Sequence, residues 1–76
     1  MNIYLLTQTD NGGYDTYDSC VVIAASEREA KNIDPSGEGW SSEFSSWASS
    51  PDKVEASLIG VSDLPEGVVL TSFNAG

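Results

Sequence analysis

The sequence predicts a small α+β domain: a four-stranded antiparallel sheet, in the chain order β-β-α-β-β, with one short helix on one face and an aromatic, serine-rich loop. Three observations predict it. Cys20 to Ala25 is an unbroken apolar run, and its β-branched members and length of six suit a strand buried on both faces. Ser26 ends that run and forms S-x-x-E with Glu29, the capping box in which a hydroxyl accepts from an orphan amide at a helix start. Short apolar stretches punctuated by Gly, Asp and Pro stand on either side of this unit. With 76 residues the chain makes one domain, 1–76.

The first strand is Ile3 to Gln8. Both alternating sets, Ile3/Leu5 and Tyr4/Leu6, are apolar, so it too has the composition of a strand covered on both faces. Gln8 to Asp18 connects it to the next strand, and Asn11-Gly12-Gly13 supplies residues that tolerate positive φ, the chemistry of a hairpin turn. The second strand covers about Tyr17–Ala25 and pairs antiparallel with the first. The helix opens at Ser26, puts Ala30 and Ile33 on one face, and closes before Asp34-Pro35, because proline disfavours helical geometry in the residue before it.

Ser36 to Pro51 is serine-rich, which alone suggests a linker. Trp40, Phe44 and Trp47 within it are too costly to leave in water, and spacings of four and three share a helical face. The segment is expected to be an irregular loop, with one helical turn near Ser42–Ala48, that folds its aromatics over the sheet or the helix. Val54 to Val61 alternates apolar Val54, Ala56 and Leu58 with Glu55 and Ser57, as a strand with one partly wet face does. Asp63 to Gly67 is a turn, and Val68 to Phe73 is the last strand, expected to pair with its predecessor as a hairpin.

Composition limits the function. Twelve acidic residues against three basic ones give a net charge of −9, and Arg28, Lys31 and Lys53 are the only cations. Direct nucleic-acid binding needs Lys and Arg to displace counterions from phosphates, and anionic membranes need the same. The electrostatic complement is a basic partner, such as a nucleic-acid-binding protein or nucleoprotein complex. One cysteine cannot form an internal disulfide, no run approaches a membrane span, and the start of the chain lacks a signal-peptide pattern. The expected location is the cytoplasm.

No residue pattern points to catalysis, so the expectation is a non-enzyme. Histidine, the usual base near neutral pH, is lacking, and Cys20 lies in the buried run, where a thiol acts as a small hydrophobe. Asp10, Asp15 and Asp18 crowd the first connection. Their spacing departs from the EF-hand template, which would need its bidentate Glu where Val21 stands, so no metal and no cofactor is expected. These aspartates suit contact with basic side chains, with Tyr14 and Tyr17 as amphipathic anchors between them. Gly37-Glu38-Gly39 is not a phosphate loop: it lacks the Lys and puts an acid where phosphate would sit. Trp40, Phe44 and Trp47 form a second candidate patch. They either pack as a lid or line a pocket for a small, nucleotide-like ligand, with a homodimer interface as one setting for it.

Tyr14-Asp15-Thr16-Tyr17-Asp18-Ser19, Val21-Val22, Glu29-Ala30, Pro35-Ser36-Gly37, Trp40, Trp47 and Ser72-Phe73-Asn74-Ala75-Gly76 resemble a family of small acidic phage and prophage proteins without an assigned activity. The resemblance covers nearly the whole chain and implies no catalytic residues. By size, acidity and lack of catalytic groups the chain is also similar in type to phage-encoded inhibitors of bacterial defence, including anti-CRISPR proteins. That likeness implies an inhibitor, monomeric or homodimeric, acting on a host complex in the host cell cytoplasm. The small-ligand binding module is the alternative.

Overall fold

The computed structural model describes residues 1–12, 15–37, 40 and 46–74, with Asn74 described through its backbone only. Tyr14, Phe44, Gly13 of the turn, Glu38-Gly39 and Ser42–Ser45 of the expected helical turn lie outside the described residues.

Strand β1 (Asn2–Thr7) is followed by β2 (Thr16–Ala24), helix α1 (Glu27–Lys31), a single 3-10 turn at Pro51–Lys53, β3 (Glu55–Val61) and β4 (Gly67–Asn74). The strands form one antiparallel sheet in the order β3-β1-β2-β4. The α+β architecture and the β-β-α-β-β order are as the sequence predicts.

The two strands with apolar residues on both faces, β1 and β2, occupy the centre and pair from Asn2↔Ala24 to Thr7↔Ser19. The last two strands do not form the expected hairpin. β3 pairs with β1 and β4 with β2, so they lie at opposite edges of the sheet. The physical reason lies in the central pair, since a β3–β4 hairpin would leave an apolar strand as an open edge, the arrangement most prone to association. Crossing three strand spacings takes roughly 14 Å, and the six steps from Val61 to Gly67 reach up to ~20 Å, so the short connection spans the sheet end. The ladder there is extended by a reciprocal pair, Ser62 N donating to Met1 O (2.8 Å) and Met1 N to Ser62 O (2.9 Å).

Helix α1 ends at Lys31, two residues sooner than the pattern suggests. Ser26 caps it, its Oγ accepting from Glu29 N at 3.2 Å. Asn32 closes it, donating from Nδ2 to Arg28 O at 2.8 Å, and Asp34 Oδ1 then accepts from Ser36 N (2.9 Å) and Ser36 Oγ (2.6 Å) in a local turn. These side-chain bonds compete with further helical ones. Ile33 therefore lies past the helix end, yet still packs half-buried against the core.

One face of the sheet carries the core: Tyr4 and Leu6 from β1, Cys20, Val22 and Ala24 from β2, Ala30 from α1, then Trp47, Ala48 and Val54. Tyr17, Trp40 and Ala56 pack against its margin. Among the described residues no helix is long and apolar enough to cross a membrane.

Candidate functional site

The β1–β2 end of the sheet gathers the acidic residues that the sequence singles out. The connection is closed by Gln8, a residue that pattern reading overlooks. Its Nε2 donates to Asn11 O (2.8 Å) and Tyr17 O (2.7 Å), and its Oε1 accepts from Asn11 N (2.8 Å). Both ends of one buried amide thus tie the connection back onto the strands. Asp15 takes a left-handed conformation, φ 61°, which Asp tolerates better than most residues. Asp18 stands at an irregularity in the β2–β4 ladder, between Tyr17↔Phe73 and Ser19↔Ser72, and is exposed.

Asp10 differs from the other two aspartates. Its Oδ2 accepts from Ser49 N at 2.9 Å, joining the first connection to the serine-rich loop. That bond, with a smaller effect from Lys53, holds its carboxyl below the usual aspartate value. Tyr17 is half-buried, its ring edge-on to Phe73 with centroids 4.7 Å apart, and its N–H donates to Ser46 O at 2.7 Å. Asp10 and Tyr17 therefore serve the fold as well as the surface, while Asp15 and Asp18 are exposed.

The fold also brings in two groups that the local sequence does not associate with this end. Glu55, at the start of β3, sits opposite Thr7, which faces Ser19 across the β1–β2 ladder. Lys53 acts electrostatically on Asp10, although 43 residues separate them. Chain proximity gives no signal for either, and only the β3–β1–β2 order makes them neighbours. Among the described residues no group of three or more Asp, Glu or Cys side chains converges as a metal-binding cluster.

The second candidate patch resolves differently. Trp47 is wholly enclosed and Trp40 half-buried against the core, so these rings act as lid packing. Three hydrogen bonds seat the loop around Trp47: Tyr17 N to Ser46 O, Asn11 Nδ2 to Trp47 O (3.2 Å) and Ser49 N to Asp10 Oδ2. A ligand could stack on Trp47 only after the loop had lifted. Cys20 is buried beneath it in β2, and burial, with Asp34 adding to the effect, pushes its thiol up to about 12, so it is protonated and a poor nucleophile at neutral pH.

A groove of about 430 Å³ between α1 and the 3-10 turn is lined by Glu27, Arg28, Lys31, Asn32, Pro51 and Asp52. It holds two of the three cations, but each stands among carboxylates, so it offers no net positive site for an anion. Comparison with family models, with curated proteins and with solved structures finds no match for this chain.

Proposed function

We propose that this chain is a non-enzymatic acidic interaction protein, of the phage anti-defence type, that binds a basic nucleic-acid-binding surface of a host protein complex in the cytoplasm and blocks it. The observation that supports this reading most is the placement of Asp15, Asp18 and Glu55, exposed and anchored on sheet strands or on a turn closed by Gln8. Carboxylates held in that way meet a partner's Lys and Arg with little ordering cost, as phosphates on a duplex do. The enclosure of Trp47 weighs against a nucleotide-like ligand stacking between aromatics.

The test is displacement. Host nucleic-acid-binding complexes loaded with labelled duplex DNA or guide RNA are titrated with the chain at increasing salt. Release of the nucleic acid is expected, weakening as ionic strength rises. A variant carrying Asp15→Asn, Asp18→Asn and Glu55→Gln should stay folded and lose about 0.5–1 kcal/mol per rim contact, mainly in the association rate. Release by the folded triple variant at unchanged affinity, or no release from any complex, would overturn the proposal.

A further inference from the structure

The face of the sheet opposite α1 and Trp47 is apolar and largely uncovered, with Ile23 alone in its rows fully buried. Residues directly opposed across a ladder share a face, so the pairing defines it. One row across the strands is Gly60–Ile3–Ile23–Gly67, and the next is Ser57–Leu5–Val21–Leu70. Ile59 and Val69 sit at the two ladder irregularities that flank these rows. Leu70 is 66% exposed, Ile59 56% and Val69 54%, while Ile3, Leu5 and Val21 are half-buried. These rows contain no charged residue, and Glu55 stands beyond them at one corner. A shallow hollow of about 160 Å³, lined mainly by Leu5, Val21, Leu70, Ser19 and Ser72, lies within the face.

We infer that this face is the interface of a homodimer, two copies packing sheet against sheet about a two-fold axis. Three arguments select a second copy over another partner. The alternating sets of β1 and β2 are apolar on both sides, the pattern of strands buried on two faces, and the rest of the chain covers only one of them fully, leaving Ile3, Leu5 and Val21 half-buried on the other. The rows are uncharged on a chain of net charge −9, so this surface gives a basic partner no carboxylate to meet, yet lets two like-charged copies approach. A symmetric contact also needs only a self-complementary patch, which a flat row of aliphatic residues edged by serine supplies.

Area sets the strength. Four strands of about seven residues give roughly 450 Å² of flat face from strand spacing and rise, before side-chain relief is added. A standard interface takes ~800 Å² per partner, so this dimer belongs at the small, weak end of the range. The inference shares the corner at Glu55 with the acidic end, but it is read out separately, by self-association of the chain and not by release of nucleic acid.

Sedimentation equilibrium of the whole chain from low micromolar to millimolar concentration, at low and high salt, tests it. The expected result is a reversible monomer–dimer equilibrium that tightens as salt screens the repulsion between copies. Leu70→Asp should weaken it about tenfold or more, and Leu70→Ser by less. Leu58→Asp removes an equally exposed leucine (61%) that is paired with Tyr4 on the opposite face, and should leave the equilibrium unchanged. Melting by circular dichroism confirms that each variant is folded. A monomer throughout the range, a dimer indifferent to both Leu70 substitutions, or one that loosens with salt as a basic-surface contact would, overturns the inference.

Discussion

Replacing Trp47 with alanine tests whether the serine-rich loop is a structural lid. The indole is wholly buried among the residues that line the helix-side core. Truncating such a side chain costs roughly 3–5 kcal/mol, the transfer term plus the cavity left behind. At ~0.05–0.15 kcal/mol per residue, a chain of 76 residues has a total stability of about 4–11 kcal/mol. The variant should therefore lose about a quarter or more of its stability, with the melting temperature falling by about 12–40 °C. Urea titration followed by far-ultraviolet circular dichroism measures the loss, and Trp40, left as the sole indole, reports separately on its own half-buried site. The seat of the loop argues against an easy collapse of the cavity. Ser46, Trp47 and Ser49 are tied by hydrogen bonds to Tyr17, Asn11 and Asp10, so the backbone cannot sink into the space without breaking them. A loss below about 1 kcal/mol would refute this reasoning, because it would mean that the loop is a tether whose indole contributes no packing.

Two further predictions concern titratable groups. Cys20, buried and with its thiol raised to about 12, should react with a disulfide reagent far more slowly in native buffer than in urea; comparable rates would contradict its place in the central strand. Because its folded pKa lies above the unfolded value of 9.0, its contribution to stability is full below pH 9 and is lost as pH rises from there through 12. Asp10 has the opposite sign: its lowered pKa favours the folded state above its ordinary value of 3.8, and that stabilisation is lost as pH falls through the folded value. Asp10→Asn keeps an acceptor for the Ser49 amide but does not titrate, so its urea midpoint should fall less steeply than the parent's below about pH 4. Equal slopes would show that the Asp10–Ser49 bond contributes nothing in solution.

Some parts of this molecule follow from local chemistry. The Cys20–Ala25 run becomes most of the central strand because six consecutive apolar residues have few other places to go, and only Ala25 at its end is exposed. Ser26 caps α1 because its hydroxyl needs only an amide three residues on. The parts that sequence reading gets wrong or overlooks depend on distant partners. Nothing within Val54 to Phe73 says that its two strands will part to opposite edges; that is decided by β1 and β2, whose apolar edges both need covering. Gln8 reads as a polar residue at a strand end, yet it becomes the buried tie of the first connection once Tyr17 O and Asn11 come within reach. Asp10 groups with Asp15 and Asp18 by spacing alone, and the loop that recruits it lies 39 residues away.

That last case changes what the acidic cluster means. Three aspartates close in sequence, with no cation near them along the chain, suggest a strained surface kept for a partner's sake. In the fold, the exposed Asp10 carboxylate accepts from the Ser49 amide, with a smaller effect from Lys53, so it already has a partner within the chain. Glu55 joins the acidic end from the neighbouring strand and sits opposite Thr7 on the sheet face turned away from the Trp47 lid. The acidic surface is thus centred on Asp15, Asp18 and Glu55, displaced from the turn toward the sheet. Neutralising Asp10 should chiefly loosen the loop, whereas neutralising the other three should chiefly change the field that a basic partner meets. Separating those two effects is why the displacement test leaves Asp10 intact.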